Sequence, residues 1–248
     1  MTPLVLVHGL IGSLNAPLVT RAFSRRVLAP DLLGYGPGPA PSTPWTLDDQ
    51  AAHLGAIIEA KTDDPVDLVG HSVGGAVAWR LSLLRPDLVR SLTSVEGNFS
   101  LGDAFWSRQI ASQPLAEVEA ALAVFRSDVG AWLRRSGVDP TEAVLAIATD
   151  WLDNQPASTV QTQARAVVRA TTDPAYLEGV RDVLGRGLPL HLVAGERTAA
   201  GWTVPDWVRA AAVSDVVAPG TGHLLMIENP GVFAALVEAP LSPPTSRP

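Results

Sequence analysis

Val66-Asp67-Leu68-Val69-Gly70-His71-Ser72-Val73-Gly74-Gly75 is the stretch from which the fold of this chain follows. Its first four residues, rich in valine and leucine, form a buried strand, and an Ala/Leu-rich helical run from Ala76 to Leu84 comes at once after it. Between them stands Gly70-His71-Ser72-Val73-Gly74, the G-x-S-x-G spacing of a nucleophile elbow. The turn is so tight that the serine takes a strained backbone conformation, and the residues two before and two after it must be small. Ser72 Oγ is thereby lifted into the open, and the N–H of Val73, at the helix N-terminus, faces any oxyanion that develops there. A G-x-S-x-G can arise by chance in a glycine-rich loop. Placement between a strand and a helix gives this one its weight.

Strand and helix patterns alternate on both sides of the elbow. Leu4-Val5-Leu6-Val7 is a continuous apolar run ending at His8-Gly9-Leu10-Ile11-Gly12, as a buried parallel strand and its tight exit require. A second strand, Arg26-Val27-Leu28-Ala29, ends in Pro30-Asp31-Leu32-Leu33-Gly34-Tyr35-Gly36. Thr46-Leu47-Asp48-Asp49 has the form of a capping box and opens a helix through about Ala60. Leu88 to Val95 gives another strand, closing on Glu96-Gly97-Asn98. Leu190-His191-Leu192-Val193-Ala194-Gly195 and Val213 to Ala218 supply two more, and Asn229-Pro230 caps a closing helix. This alternation predicts an α/β fold with a parallel sheet covered on both faces.

The alternation stops near Phe99 and resumes at Leu188. Between them Leu115, Val118, Leu122, Phe125, Val129, Trp132 and Leu133 recur at helical spacing. Asp139-Pro140-Thr141-Glu142 offers an N-cap, a first-turn proline and an acidic third position. A further helix covers about Val160 to Ala170, and Asp173-Pro174 starts another. No Gly/Ser linker sets this block apart, so it is expected to be a helical cap inserted into the sheet domain. The division is residues 1–99 and 187–240 for the sheet core, 100–186 for the cap and 241–248 for a Pro/Ser-rich flexible tail.

Bulk composition narrows the chemistry. At 248 residues a single domain with an insertion is the natural size, and 47% apolar residues suffice for a full core. A formal charge of −7 argues against nucleic acid or an anionic membrane as the partner. With no cysteine, disulfides, zinc-thiolate sites and a cysteine nucleophile are excluded. The start, Met1-Thr2-Pro3, lacks a basic region and leads into too short an apolar run for a signal or a span, so a cytoplasmic location is expected. Whether the chain is a monomer or a homodimer stays open.

With these pieces in order, the chain resembles the α/β-hydrolase superfamily over nearly its whole length. The resemblance rests on His8-Gly9, Asp31-Leu32-Leu33-Gly34-Tyr35-Gly36, Gly70-His71-Ser72-Val73-Gly74-Gly75 and Gly222-His223. It implies Ser72 as nucleophile, His223 as general base and the N–H of Leu10 as the oxyanion donor beside that of Val73. The histidines also sort without the family. His53 lies mid-helix and His191 inside a strand, both structural positions, while His8 and His71 sit in turns where an imidazole buttresses a loop. His223 follows the last strand on a glycine-rich loop, at the sheet edge where Ser72 stands.

The third member departs from the commoner pattern. Most relatives carry an aspartate where this chain has Thr198, in Gly195-Glu196-Arg197-Thr198, and a threonine holds no charge against an imidazolium. Haloalkane dehalogenases and the zearalenone lactonases instead place the acid after the preceding strand, which here ends in Val95-Glu96-Gly97-Asn98. A carboxylate closing a buried apolar strand is costly unless paired. Glu96 is therefore the expected acid, with Glu196 and Asp206 as fallbacks. The chain also lacks residues for the β-hairpin that begins typical members, so about six parallel strands are expected.

The resulting expectation is a serine hydrolase, without cofactor or metal, acting on a carboxylic ester, a hydrophobic lactone or acyl ester. A C–C bond hydrolase, a lyase-type synthase and a non-catalytic receptor are the competing readings on this fold. Trp106, Trp132 and Trp151, with Phe105, are candidates to line an apolar pocket, although such aromatics are more often plain cap core. The cap's arginines look spread along solvated faces.

Overall fold

A computed structural model describes residues 2–38 and 41–241. Its sheet has six parallel strands, β1 (Leu4–Val7), β2 (Val27–Leu28), β3 (Val66–His71), β4 (Val89–Val95), β5 (Leu190–Gly195) and β6 (Ser214–Ala218), in the order β2-β1-β3-β4-β5-β6. The order reverses at β1, and β3 with its elbow lies at the centre.

Successive strand side chains divide between two apolar cores, as the period of two demands. Val5, Val7, Leu68, Leu92, Leu190 and Leu192 enter one. Leu4, Leu6, Val69, Val95 and Val193 enter the other. The first is covered by helices Leu47–Glu59 and Val73–Leu84, the second by Leu225–Glu228 and Pro230–Glu238. Both faces are thus buried, which is why the strands carry continuous apolar runs.

Between β4 and β5 lie helices Phe105–Ser112, Leu115–Ser127, Val129–Arg135, Glu142–Asp153, Ala157–Thr172 and Pro174–Gly185. Their apolar residues join the same two cores. Val118, Val160, Val167 and Val180 belong to the first, and Trp132, Leu133, Ile147, Trp151 and Leu152 to the second.

Local chemistry set most boundaries. Thr46 and Asp49 form the expected capping box, Asp173 caps Pro174–Gly185, and Asn229 caps the closing helix. Four expectations need correction. The apolar series from Leu115 to Leu133 is two helices, because Asp128 leaves helical conformation (φ −146°, ψ 79°) and its carboxylate accepts the N–H of Ala131 to start the second. The N-cap before Glu142 is Thr141, whose hydroxyl accepts the N–H of Val144; Asp139 stands two residues too early. Strands begin or end one residue inside the expected limits at Val89, Ser214 and β2. Of the expected tail, Leu241 belongs to a 3-10 turn, Ala239–Leu241, and residues 242–248 lie outside those described.

At the far end of β3 from the elbow, Asp67 has no solvent exposure and accepts from Arg25 (2.6 Å), Arg90 (2.9 Å) and Ser91 Oγ (2.6 Å). Burial alone would push its pKa up, but hydrogen bonds from Arg90, Ser91 and Arg25 outweigh it and hold the carboxyl below the usual range. Because the folded-state pKa is depressed, this stabilisation is present above the unfolded value and is lost as pH falls through the folded one. Asp67→Asn should therefore cost about 3 kcal/mol near neutrality, read from denaturant midpoints. The gap between variant and parent should close below about pH 4.

Candidate active site

Ser72 follows β3 directly, with φ 53° and ψ −121°, and opens helix Val73–Leu84. A non-glycine residue there is strained, so the surroundings must hold it. Ser72 donates its N–H to the Val95 carbonyl (3.0 Å), and its own carbonyl accepts from Gly75 (2.9 Å) and Asn98 (3.2 Å). The glycines of the motif are required by close approach. A Cβ on Gly74 would stand 2.3 Å from the Val7 carbonyl oxygen and 2.4 Å from that of His8. The helix thus starts against the exit of β1. That exit reaches the serine itself, since a Cβ on Gly9 would lie 3.3 Å from Ser72 Cβ.

The loop carrying Leu10 is held from several sides. The Leu10 carbonyl accepts from Tyr35 Oη (2.8 Å), and Gly12 donates to Gln155 Oε1 (3.3 Å) while its carbonyl accepts from Asn154 Nδ2 (3.2 Å). His8 buttresses it as expected. Its Nδ1 donates to the Gly9 carbonyl (2.9 Å) and its Nε2 accepts the N–H of Leu32 (3.2 Å). Burial lowers its pKa and keeps the ring neutral. The backbone N–H groups of Leu10 and Val73 are thus carried by two rigid turns that touch one another.

Glu96 and His223 meet. Glu96 stands one residue past β4 at φ 44°, and its Oε2 lies 2.6 Å from His223 Nδ1. The other oxygen accepts the N–H of Gly195 (2.8 Å) and the Thr198 hydroxyl. Burial of the carboxyl would raise its pKa, but the hydrogen bond and charge of His223, with the Thr198 and Gly195 donors, hold it below the usual range. An ionised Glu96 accepts only, so His223 Nδ1 carries the proton and Nε2 is left as the basic nitrogen. The side chain of His223 is 40% exposed and that of Glu96 only 6%, so the pair has one wet end and one dry end.

Glu196 is exposed and accepts the N–H of Gly220 (2.8 Å), and Asp206 is an exposed first-turn residue of helix Asp206–Ala211. Neither meets His223. His53 faces the Asp31 carbonyl (3.3 Å) and His191 the Ser214 hydroxyl (2.9 Å). His71 does more than buttress. Its Nε2 donates to the His223 carbonyl (2.9 Å), and the two rings lie 4.6 Å apart. Burial, then the neighbouring His223, depress its pKa to about 3, so it stays an uncharged donor.

Phe105 is mostly exposed, and Trp106 is half-buried against the first core. Trp132 and Trp151 are buried in the second core. Trp151 also lies against the turn after β1, where a Cβ on Gly12 would come within 2.7 Å of its ring. A cavity of about 510 Å³ opens beside that turn, with Ser13, Leu18, Ile147, Trp151 and Asn154 in its wall. The arginines need one correction. Arg165 and Arg169 stand one turn apart on helix Ala157–Thr172 and share, with Arg80, a cleft of about 380 Å³ that none of Ser72, Glu96 or His223 lines.

Sequence reasoning missed the supporting partners: Thr198 on Glu96, Tyr35 on Leu10, and Asn154 and Gln155 on Gly12. Thr198 carried a usable signal, being a hydroxyl at the place where a carboxylate was looked for. The others are long-range pairings without one.

The profile of the Alpha/beta hydrolase family matches residues 4–236. The chain belongs to that family and is an enzyme of the α/β-hydrolase class. Lipase LipV of Mycobacterium tuberculosis is 38% identical over 117 residues, which are 46% of this chain and 43% of the lipase. The match thus spans less than half the length of that relative. The 2-hydroxymuconate semialdehyde hydrolase of Pseudomonas sp. strain CF600 is 28% identical over 267 residues, 95% of this chain and 85% of the relative. In fold, the crystal structure of wild-type Cfl2 from Burkholderia cenocepacia superposes with a TM-score of 0.77 at 18% identity, covering 97% of this chain and 88% of Cfl2. No helix among the described residues is long and apolar enough to cross a membrane.

Because the added Cβ would meet backbone and not a movable side chain, Gly74→Ala should displace the elbow from β1. A melting temperature several degrees lower is expected for a change of this kind, checked by scanning calorimetry.

Proposed function

We propose that this α/β hydrolase cleaves a carboxylic ester, a hydrophobic lactone or acyl ester, through Ser72, His223 and Glu96. The observation that carries the reading is the 2.6 Å contact between His223 Nδ1 and Glu96 Oε2, with Ser72 presented at a strained turn on the neighbouring strand. His223 Nε2 takes the proton of Ser72 Oγ as that oxygen attacks the carbonyl carbon. The oxyanion is met by the N–H groups of Leu10 and Val73, donors already oriented before the charge forms. His223 returns the proton to the departing alkoxide, and a water activated by the same nitrogen then releases the acyl group. Glu96 fixes the tautomer and offsets the transient imidazolium.

Helices within residues 100–186 serve as the cap over this site, with substrate entering between cap and sheet. Trp151, packed on the turn that carries Leu10, is the first choice for the pocket wall, ahead of Trp106 and Trp132. The cavity beside it has the size of a small-ligand site, with Leu18, Ile147 and Trp151 interspersed with Ser13, Asp150 and Asn154 in its wall, and like the arginine cleft it is lined by none of Ser72, Glu96 or His223. A relative named as a lipase supports ester chemistry. C–C bond hydrolysis is the second reading, favoured by the relative named 2-hydroxymuconate semialdehyde hydrolase, which aligns with nearly the whole chain.

Ser72→Ala should lower turnover of a reactive aryl ester a thousandfold or more, on the order seen for triad nucleophiles, with an unchanged melting temperature. Glu96→Gln should cost far more than Glu196→Gln. Rates across a lactone, an aryl ester, an acyl thioester and a vinylogous 1,5-diketone then choose between readings. A clear preference for the diketone moves the function to C–C hydrolysis, and inertness toward all four excludes the ester reading in favour of a lyase.

A further inference from the structure

Residues 196–198 follow β5 at the position where most relatives would supply the acid. In this chain their side chains have another occupation. Glu196 Oε2 accepts the N–H of Gly220 (2.8 Å). Arg197 donates its N–H to the Thr221 carbonyl (2.9 Å), and its guanidinium reaches the carbonyls of Gly220 and Gly137 and the carboxylate of Glu228. Glu228 in turn accepts the N–H of Gly222 (2.9 Å). Two of the three residues therefore hold the loop that carries His223. The third, Thr198, holds the carboxylate that faces it.

We propose that Thr198 is a positioning residue that fixes the Glu96 carboxylate against His223, an assignment that rests on the hydrolytic reading above. Three observations carry it. First, Thr198 precedes the 3-10 turn Ala199–Gly201 at the N-cap position, where a threonine hydroxyl ordinarily accepts a backbone N–H. It makes no such bond, and its one short contact is the hydroxyl given to Glu96 Oε1. Its other contact, to the Gly195 carbonyl at 3.4 Å, is long. Second, Glu96 uses its oxygens differently: Oε2 serves His223, while Oε1 is gripped by Thr198 and by the Gly195 N–H. Two donors on one oxygen stop the carboxylate rotating about its terminal bond, so Oε2 stays in line with Nδ1. Third, the Glu96 side chain is only 6% exposed, so water does not readily replace a deleted donor. The threonine thus makes the relocated acid workable by supplying a dipole where the commoner arrangement has a charge.

The test compares Thr198→Val, which removes the hydroxyl at nearly constant shape, with Thr198→Ser, which keeps it. Each is made in the native chain and in Glu96→Gln, with p-nitrophenyl butyrate as probe. Thr198→Val should lower kcat by on the order of tenfold with KM unchanged, the scale of a hydrogen bond to a charged group, and Thr198→Ser should recover most of it. In the Glu96→Gln background the valine change should cost nothing further, because Thr198 acts only through Glu96. One readout needs no turnover: the downfield proton resonance of His223 Nδ1–H should move upfield in Thr198→Val and stay in Thr198→Ser. Thr198→Ala replaces the valine variant should the latter melt early. Equal losses in the valine and serine variants, an undiminished valine cost beside Glu96→Gln, or an unmoved resonance would overturn the assignment while leaving the triad reading intact. A Glu96→Gln variant as active as the parent overturns the triad reading, and the resonance then decides on Thr198 alone.

Discussion

Ser72 and Glu96 are the two non-glycine residues with positive φ among those described, at 53° and 44°. Each stands one residue beyond the end of a strand, and the two strands, β3 and β4, are neighbours, with His71 paired to Val95. Strain of about 1–3 kcal/mol at each persists only because the adjoining backbone allows no alternative. Ser72 N–H is fixed on Val95 and Glu96 N–H on Val193, while Asn98 N–H returns to the Ser72 carbonyl. One strand register thus sets both departures from ordinary geometry. The side chains of Ser72 and Glu96 are aimed by the same pair of strands.

His223 is brought to this pair by contacts between backbones. A Cβ on Gly195 would stand 2.3 Å from the Gly222 carbonyl oxygen, so the end of β5 and the loop before His223 touch without side chains between them. His71 then ties the loop to the elbow through the His223 carbonyl. Four chain segments far apart in sequence converge here. What unites them is the absence of bulk at a few positions and a small number of directional bonds.

Much of this was legible in the sequence, for physical reasons. The strands announce themselves because a parallel sheet buried on both faces needs unbroken apolar runs. Ser72 is legible because its strained turn restricts five residues at once, and His223 because the other four histidines fall in a helix, in a strand or in the two turns that build the elbow and the loop of Leu10. Glu96 became legible by subtraction, once Thr198 left the commoner position without a charge. The helical insertion was less so. Asp128 breaks one apolar series through its own side-chain cap, an alternative that spacing alone does not express. Thr141 and Asp139 compete for the same helix start, and the choice lies in backbone angles. Arg165 and Arg169 look scattered in the sequence and share a cleft, because a cleft is a property of several helices together.

Glu96 is also the root of the insertion. Immediately after it, the Gly97 carbonyl accepts from Trp202 Nε1 (2.8 Å) and the Asn98 carbonyl from Tyr176 Oη (2.7 Å), so the insertion's point of departure is pinned at both flanks. A chain whose partner for His223 lay at position 198 could exchange everything between its fourth and fifth strands and leave that contact untouched. In this chain the carboxylate that faces His223 and the start of the helical insertion share a junction. A foreign insertion grafted here should keep residues 96–98 and Trp202 and supply a hydroxyl donor in the place of Tyr176.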